Sequence, residues 1–213
     1  MLVWLQSPGG DWSQTSISGP LDRYPTTGLA VSTDGRYVTL STEVATGGAE
    51  PADTGGEAKV FVVDTAGDRS RFTAEWAPVP GAATLGQVTG VGATQVVGVA
   101  PGGDGSTKIY LLDVVSGQVV RTIDYSGDIT STASLITGPD GAVYTAVKAP
   151  TGRRIVRITP DLGGPEPVKA IAEVAGDYER LAVVGRDLYL TGTGYDTGGV
   201  DSLKRIDDFV AAR

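Results

Sequence analysis

One phrase recurs along this amino-acid sequence and restricts the folds that are open to it. Its clearest copy consists of Lys108–Asp113 and Gln118–Ile123, which flank a turn ending in Ser116-Gly117. Runs of β-branched and aromatic residues around such a turn predict two antiparallel strands. Related copies begin at residues 1, 59, 154 and 202, so the last three intervals are 49, 46 and 48 residues. A repeat of this length, built from short strands, is typical of a propeller-like array.

Two turn motifs connect the repeat with known propellers. In 63–67 and 112–117 an Asp ends a predicted strand and a Gly closes the turn behind it. These turns resemble those of WD40-like and YVTN-type propellers, and the Asp-Gly hairpins in 33–37 and 139–144 resemble those of TolB- and NHL-like blades. The resemblance extends over most of the chain and implies a bacterial β-propeller with four strands in each blade.

We therefore expect one all-β domain, a β-propeller of four to five four-stranded blades or a segment of a larger propeller. The blade units are about 1–18 (partial), 28–77, 84–124, 132–174 and 180–213 (partial). The first unit resembles the outer two strands of a blade and the last unit the inner strands. If both termini build one blade, Leu2–Gln6 lies beside Asp187–Thr193. Residues 166–175 have helical propensity, and only the repeat register predicts a strand there.

Composition excludes several classes of function. The formal net charge of −8 argues against nucleic acid, because Lys and Arg must replace the counterions of the phosphates. No apolar run approaches the roughly 20 residues that span a bilayer, so we expect no membrane insertion. The sequence contains no His, Cys or Asn, which removes Ser-His relays and ordinary zinc sites. The abundance of Gly and Thr, together with the resemblance to exported bacterial propellers, predicts an extracytoplasmic location, with an export signal outside this chain.

Candidate binding residues occur in the loops between the second and third strands of the blades. Because strands alternate in direction, these loops and the connectors between blades should leave the propeller on one face, where recognition loops commonly lie. The candidates are mostly acidic: Glu43, Asp53, Glu57, Asp104, Arg153, Tyr195, Asp196 and Asp201. Oxygen-rich loops of this kind could bind Ca²⁺, but no Asp-x-Asp-x-Asp-Gly spacing supports a calcium site. We therefore expect no cofactor, with Ca²⁺ as the alternative.

Two Asp-Thr-Gly-Gly motifs, at 53–56 and 196–199, are similar to the catalytic motif of aspartic proteases. Paired Asp residues activate water in aspartic proteases, but there the motif follows an apolar strand. Here both copies lie in Gly-rich loops, so a repeated loop is the favoured interpretation and no catalytic residue is assigned. We expect a non-enzymatic binding or sensing module for a protein or a small, sugar-like ligand. The alternatives are a carboxylate- or Ca²⁺-dependent enzyme, sugar-processing or lactone-hydrolysing, and a structural part of a larger assembly.

Overall fold

The protein is described by a computed structural model, which covers residues 2–6, 12–16, 24–43, 57–66, 72–102, 104–129, 134–194 and 200–209. These segments contain seventeen strands and are all-β, as the repeat predicts. The strands are β1 (Leu2–Gln6), β2 (Trp12–Ser16), β3 (Thr26–Val31), β4 (Tyr37–Thr42), β5 (Val60–Asp64), β6 (Phe72–Trp76), β7 (Val88–Gly90), β8 (Gln95–Pro101), β9 (Thr107–Asp113), β10 (Gln118–Tyr125), β11 (Ile136–Thr137), β12 (Val143–Ala149), β13 (Gly152–Ile158), β14 (Val168–Val174), β15 (Gly176–Val184), β16 (Asp187–Gly194) and β17 (Val200–Ile206).

The strands form four propeller blades and a separate hairpin. The first three blades are antiparallel sheets in sequence order, β3-β4-β5-β6, β7-β8-β9-β10 and β11-β12-β13-β14. Within the described residues the fourth blade has three strands, β15-β16-β17, and β1 pairs with β2 alone. This order confirms the propeller that the repeat and its turns predict.

The blades stack face to face through three apolar interfaces. The middle strands are covered on both sides, which explains continuous apolar runs such as Val60-Phe61-Val62-Val63, where every side chain is buried. Representative core residues of the three interfaces are Val62, Leu85 and Leu112 between the first two blades, Val99, Ile109 and Val156 between the next two, and Ala146, Ile155 and Leu188 between the last two. Among the described residues, no core cluster joins the fourth blade to the first.

Hydroxyl groups connect neighbouring blades at or beside their inner strands. Thr137 on β11 donates to the carbonyl of Gly90 on β7 at 2.6 Å, and its oxygen lies 3.1 Å from the Thr89 hydroxyl. Ser41 on β4 donates to the carbonyl of Gly86 at 2.5 Å, across the first interface. Because such bonds satisfy the hydroxyl groups, the interfaces between blades tolerate Thr and Ser.

The turns between the first and second strands, and between the third and fourth, follow the predicted chemistry. Asp64 accepts the backbone N–H of Ala66 at 3.0 Å, and Asp113 accepts those of Val115 and Ser116 at 3.1 and 2.8 Å. These are the Asx-turns that a strand-ending Asp predicts. At the 33–37 hairpin Gly35 has a φ of 76°, a conformation that favours glycine.

The strand pairing tests two further expectations, the strand at residues 168–174 and the position of β1. Residues 168–174 form a strand, so the repeat register is right and the helical propensity of this segment is overridden. The prediction that β1 lies beside β16 is wrong, because β15 and β17 occupy both edges of β16. The pairing of β1 with β2 is confirmed.

Among the segments described, no helix has the length and apolar character to cross a membrane.

Candidate functional site

The two ends of the propeller differ in what they carry. At one end, here called the loop face, the loops between second and third strands bond to the connectors between blades. Glu43 donates its N–H to the carbonyl of Pro25 at 3.0 Å, and Ala58 donates to Ala82 at 2.8 Å. The opposite end, the turn face, carries the hairpins that contain Asp34, Asp64, Asp113 and Asp140. The predicted separation of loops and turns is therefore present.

Several predicted site residues hold the loop face together. A carboxylate oxygen of Glu57 accepts the N–H of Gly81 at 2.8 Å, and Glu43 bridges to Thr84. Asp104 accepts the N–H of Ser106 at 3.0 Å, and hydrogen bonds from Ser106 keep the pKa of Asp104 below its usual value. These contacts support the loop backbone. Asp53, Tyr195 and Asp196 lie outside the described residues.

Arg153 connects the third and fourth blades. Its side chain is buried, and its Nη2 lies 2.6 Å from Oδ1 of Asp177 on β15. The neighbouring Arg154 points to its own blade and pairs with Glu173 at 2.9 Å. Arg153 thus positions a carboxylate at the start of β15 instead of standing free in a loop.

The side of the fourth blade that faces away from the third is exposed, and we call it the free face. Strand register defines it: Asp177, Thr193 and Asp201 form one cross-strand row, and Arg180, Thr191 and Leu203 form the next. A bulge between Tyr178 and Arg180 keeps both rows on the same side of β15. The next rows of the free face consist of Ala182, Tyr189 and Arg205, and then of Val184 and Asp187.

The opposite side of the same blade shows why these rows are held in place. Tyr178 is buried against the third blade, and its hydroxyl oxygen lies 2.8 Å from the Ser202 hydroxyl. Between them Gly192 has a φ of 158°, and a Cβ at this position would lie 2.7 Å from the Cα of Tyr178. Glycine therefore permits the close approach of β15 and β16 beneath the first two rows.

The first two rows of the free face surround a depression of about 660 Å³. Its lining consists of Asp177, Arg180, Thr191, Gly192, Thr193, Asp201, Ser202 and Leu203. Asp201 accepts a long hydrogen bond of 3.4 Å from Thr193, and its side chain, like those of Arg180 and Thr191, is exposed. We call this site the polar depression. It lies at the loop end of the blade, where β16 ends and β17 begins.

The charges of the polar depression nearly balance. Asp177 faces Arg153, while Asp201 and Arg180 carry opposite charges across the three strands. Carboxylates accept hydrogen bonds, a guanidinium donates them, and the Thr hydroxyls do both. The arrangement suits a neutral ligand that is rich in hydroxyl groups.

Of the residues that line the polar depression, the sequence analysis named Asp201 as a candidate binding residue, but not Asp177 or Arg180. Asp177 was missed because the predicted strand began at residue 180, whereas β15 begins at Gly176. The signal was present in the alternation of Asp177 with buried Tyr178, once a bulge at residue 179 is allowed.

Charged groups on the turn face have structural partners. Asp140 is almost fully buried, and it accepts hydrogen bonds from the Tyr144 hydroxyl at 2.9 Å and from Arg157 at 3.1 and 3.2 Å. Burial opposes ionisation of Asp140, but the bonds from Tyr144, the Ala142 N–H and Arg157 outweigh it and lower its pKa. Burial, together with the bond to Asp140, raises the pKa of Tyr144 to about 12.

Among the described residues, no three or more Asp or Glu side chains lie close enough together to hold a metal ion.

Comparison with solved structures identifies the architecture. The chain is similar to TolB from Acinetobacter baumannii, with a TM-score of 0.55 and 15% identity over 97% of this chain and 46% of that one. It is also similar to Porphyromonas gingivalis dipeptidyl peptidase 4, with a TM-score of 0.57 and 11% identity over 96% of this chain and 34% of that one. A puromycin hydrolase is similar with a TM-score of 0.57 and 15% identity, over 97% of this chain and 33% of that one.

These similarities concern the fold alone, since all the identities are low. The chain spans between about one third and one half of the length of these three proteins. No protein-family model and no curated protein sequence matches it. The chain thus has the β-propeller fold that these solved structures share.

Proposed function

We propose that this chain is a non-enzymatic binding module that recognises a neutral, hydroxyl-rich ligand of the sugar type in the polar depression. The observation that carries the proposal is the convergence of two carboxylates, one guanidinium and two Thr hydroxyls on an exposed blade face. Binding sites are usually concave and combine a few convergent polar groups with apolar surface, which Leu203 supplies here. The volume of about 660 Å³ falls within the usual range for small-ligand sites, roughly 300–1,000 Å³.

The balance of charge narrows the class of ligand. A phosphorylated or strongly cationic ligand would need a cluster of one sign, but Asp177 is already paired with Arg153. Asp201 and Arg180 can each hydrogen-bond a hydroxyl group and together add no net charge.

Binding to a panel of soluble neutral oligosaccharides, measured by titration calorimetry, tests the proposal. Arg180→Ala and Asp201→Ala should each weaken binding by about tenfold or more, because each removes a hydrogen bond to a charged group. Asp161→Ala is the matched control: its carboxylate is exposed on the turn face and, among the described residues, accepts a hydrogen bond from the N–H of Gly163 at 3.0 Å. The affinity of Asp161→Ala for the oligosaccharides should equal that of the wild type.

Two outcomes would contradict the proposal. If no neutral oligosaccharide binds, the proposed ligand class is wrong. If Asp161→Ala loses as much affinity as Arg180→Ala and Asp201→Ala, the proposed site is wrong. Turnover of the panel sugars, or opening of a lactone, would instead support the enzyme alternative.

We also propose an extracytoplasmic location for the protein. Its support is the composition, with 31 Gly among 213 residues, and the resemblance to exported propellers. Fractionation of the native host, with an antibody against this chain, should find the protein outside the cytoplasm. Recovery in the cytoplasmic fraction would contradict this.

A further inference from the structure

Exposed large apolar side chains concentrate on the two end faces of the stack of blades. Among the described residues seven such side chains occur, and four of them lie on end faces: Leu29 (54% exposed), Val31 (46%), Val184 (62%) and Leu203 (65%). The other three, Val115, Val119 and Val120, belong to β10 and the turn before it. Leu29 and Val31 are neighbours on one side of β3, and adjacent exposed apolar side chains mark an interaction surface more often than scattered ones do.

The first end face is covered over its middle strands and open over its inner strand. Leu29 and Val31 on β3 pair across the sheet with Leu40 and Val38 on β4, which are both buried. The ring of Tyr24 packs on Phe61 farther out, at 5.7 Å between centroids. An open strip of apolar surface therefore runs along β3.

The second end face is the free face of the fourth blade, and on its turn-side half the inner strand β15 presents apolar side chains. The neighbouring strands carry the ion pair of Arg205 with Asp187 there. Ala182 and Val184 on β15 are both exposed there. Val31 directly precedes one hairpin of the turn face, and Val184 directly precedes another. The two apolar strips thus lie on inner strands and at the same level of the propeller.

Three interfaces within the chain already show how such faces meet. Inner strands of neighbouring blades contact one another in each, as β3 with β7, β7 with β11 and β11 with β15. A further contact of β15 with a β3 strand would continue this series. Among the described residues, no core cluster of this chain makes that contact.

We propose that a second copy of this chain covers both end faces, with β15 of each copy packed on β3 of the other. One two-fold axis satisfies both faces at once, because each copy offers one of each, and the contact closes on itself without open-ended growth. The contact uses the turn-side half of the free face and leaves the polar depression at its edge. The proposal goes beyond the proposed ligand binding and does not depend on it.

Cross-linking tests the contact itself. The chain contains no cysteine, so engineered thiols are unique labels. Val31→Cys and Val184→Cys proteins, mixed and treated with a short bismaleimide, should give a dimer whose linked peptides join positions 31 and 184. A mixture of Val31→Cys with Val120→Cys should not, because Val120 is similarly exposed but lies on the second blade.

The double variant Val31→Cys/Val184→Cys separates the second copy from closure within one chain. We expect a covalent dimer. An internally linked monomer would overturn the proposal in favour of self-closure, and the absence of any 31–184 link would overturn it outright.

Sedimentation velocity over a range of concentrations measures the affinity of the pair. Val184→Lys should raise the dimer dissociation constant by about tenfold or more, since it places a charge in an apolar contact. Val120→Lys should leave it unchanged, and the thermal melt of each variant confirms that it is folded. A wild type that stays monomeric at all concentrations, or equal effects of the two substitutions, would overturn the proposal.

Discussion

Tyr110 and Tyr178 are both almost fully buried, yet their hydroxyl groups have different surroundings. Tyr178 shares a hydrogen bond of 2.8 Å with Ser202, whereas the Tyr110 hydroxyl has no partner among the described residues. Burial raises the pKa of Tyr110, so the phenol stays neutral. We expect Tyr178→Phe to lower the free energy of unfolding by about 1 kcal/mol and Tyr110→Phe to leave it unchanged or raise it. Urea unfolding of both variants checks this, and a larger loss in Tyr110→Phe would contradict it.

Asp140 couples stability to pH through its contacts with Tyr144 and Arg157. Because folding lowers its pKa, the stabilisation is present above the unfolded-state pKa of about 3.9 and is lost as pH falls through the folded-state value. Asp140→Asn should therefore lower the free energy of unfolding by about 2 kcal/mol at pH 7, and the difference from wild type should shrink below about pH 4.

Urea unfolding at pH 7 and at pH 3 measures the effect of Asp140→Asn. Asp161→Asn serves as the control, since the carboxylate of Asp161 is exposed and bonds the N–H of Gly163 in a local turn. A deficit of equal size at both pH values would show that ionisation of Asp140 does not contribute.

At the scale of elements, Phe209 fastens the fourth blade to the third. It follows β17, is buried, and packs edge-to-face on Tyr144 with centroids 4.7 Å apart. Phe209→Ala should lower the free energy of unfolding by about 3 kcal/mol, as expected for a buried aromatic residue. Leu203→Ala, on the exposed side of the same blade, should cost less than about 0.5 kcal/mol. Thermal melts that show similar losses for the two variants would contradict this packing.

Most strands could be predicted from the sequence because repeat and alternation agree. The segment 168–174 shows the strength of the repeat: its composition favours a helix, but pairing with β13 decides for a strand. The turns were predictable for a similar reason, since Asp64 and Asp113 bond backbone only two residues away.

The candidate site was less predictable, since it depends on strand register and bulges. Arg153 occurs in a loop by sequence, yet the pairing of two blades buries it against Asp177. Likewise, β17 occupies the edge of β16 that the sequence interpretation gave to β1. Neither a bulge nor the choice between two edge strands leaves a periodic signal that a single sequence reveals.

At the scale of the whole molecule, the stack of four blades ends at the fourth blade. This blade buries one face against the third blade and exposes the other. Thr145 on β12 is buried between blades, whereas Thr191 on β16 is exposed on the free face. Both the ligand site and the dimer contact that we propose require this exposure.

Thiol labelling of two matched variants in dilute solution measures that exposure. Since the chain has no cysteine, Thr191→Cys and Thr145→Cys each carry a single thiol in nearly the shape of the residue that they replace. We expect Thr191→Cys to react at close to the rate of a free thiol, and Thr145→Cys to react at least about a hundredfold more slowly, because it must wait for opening of the blades. Equally slow labelling of both variants would mean that another part of the protein covers the fourth blade, and would contradict an exposed free face.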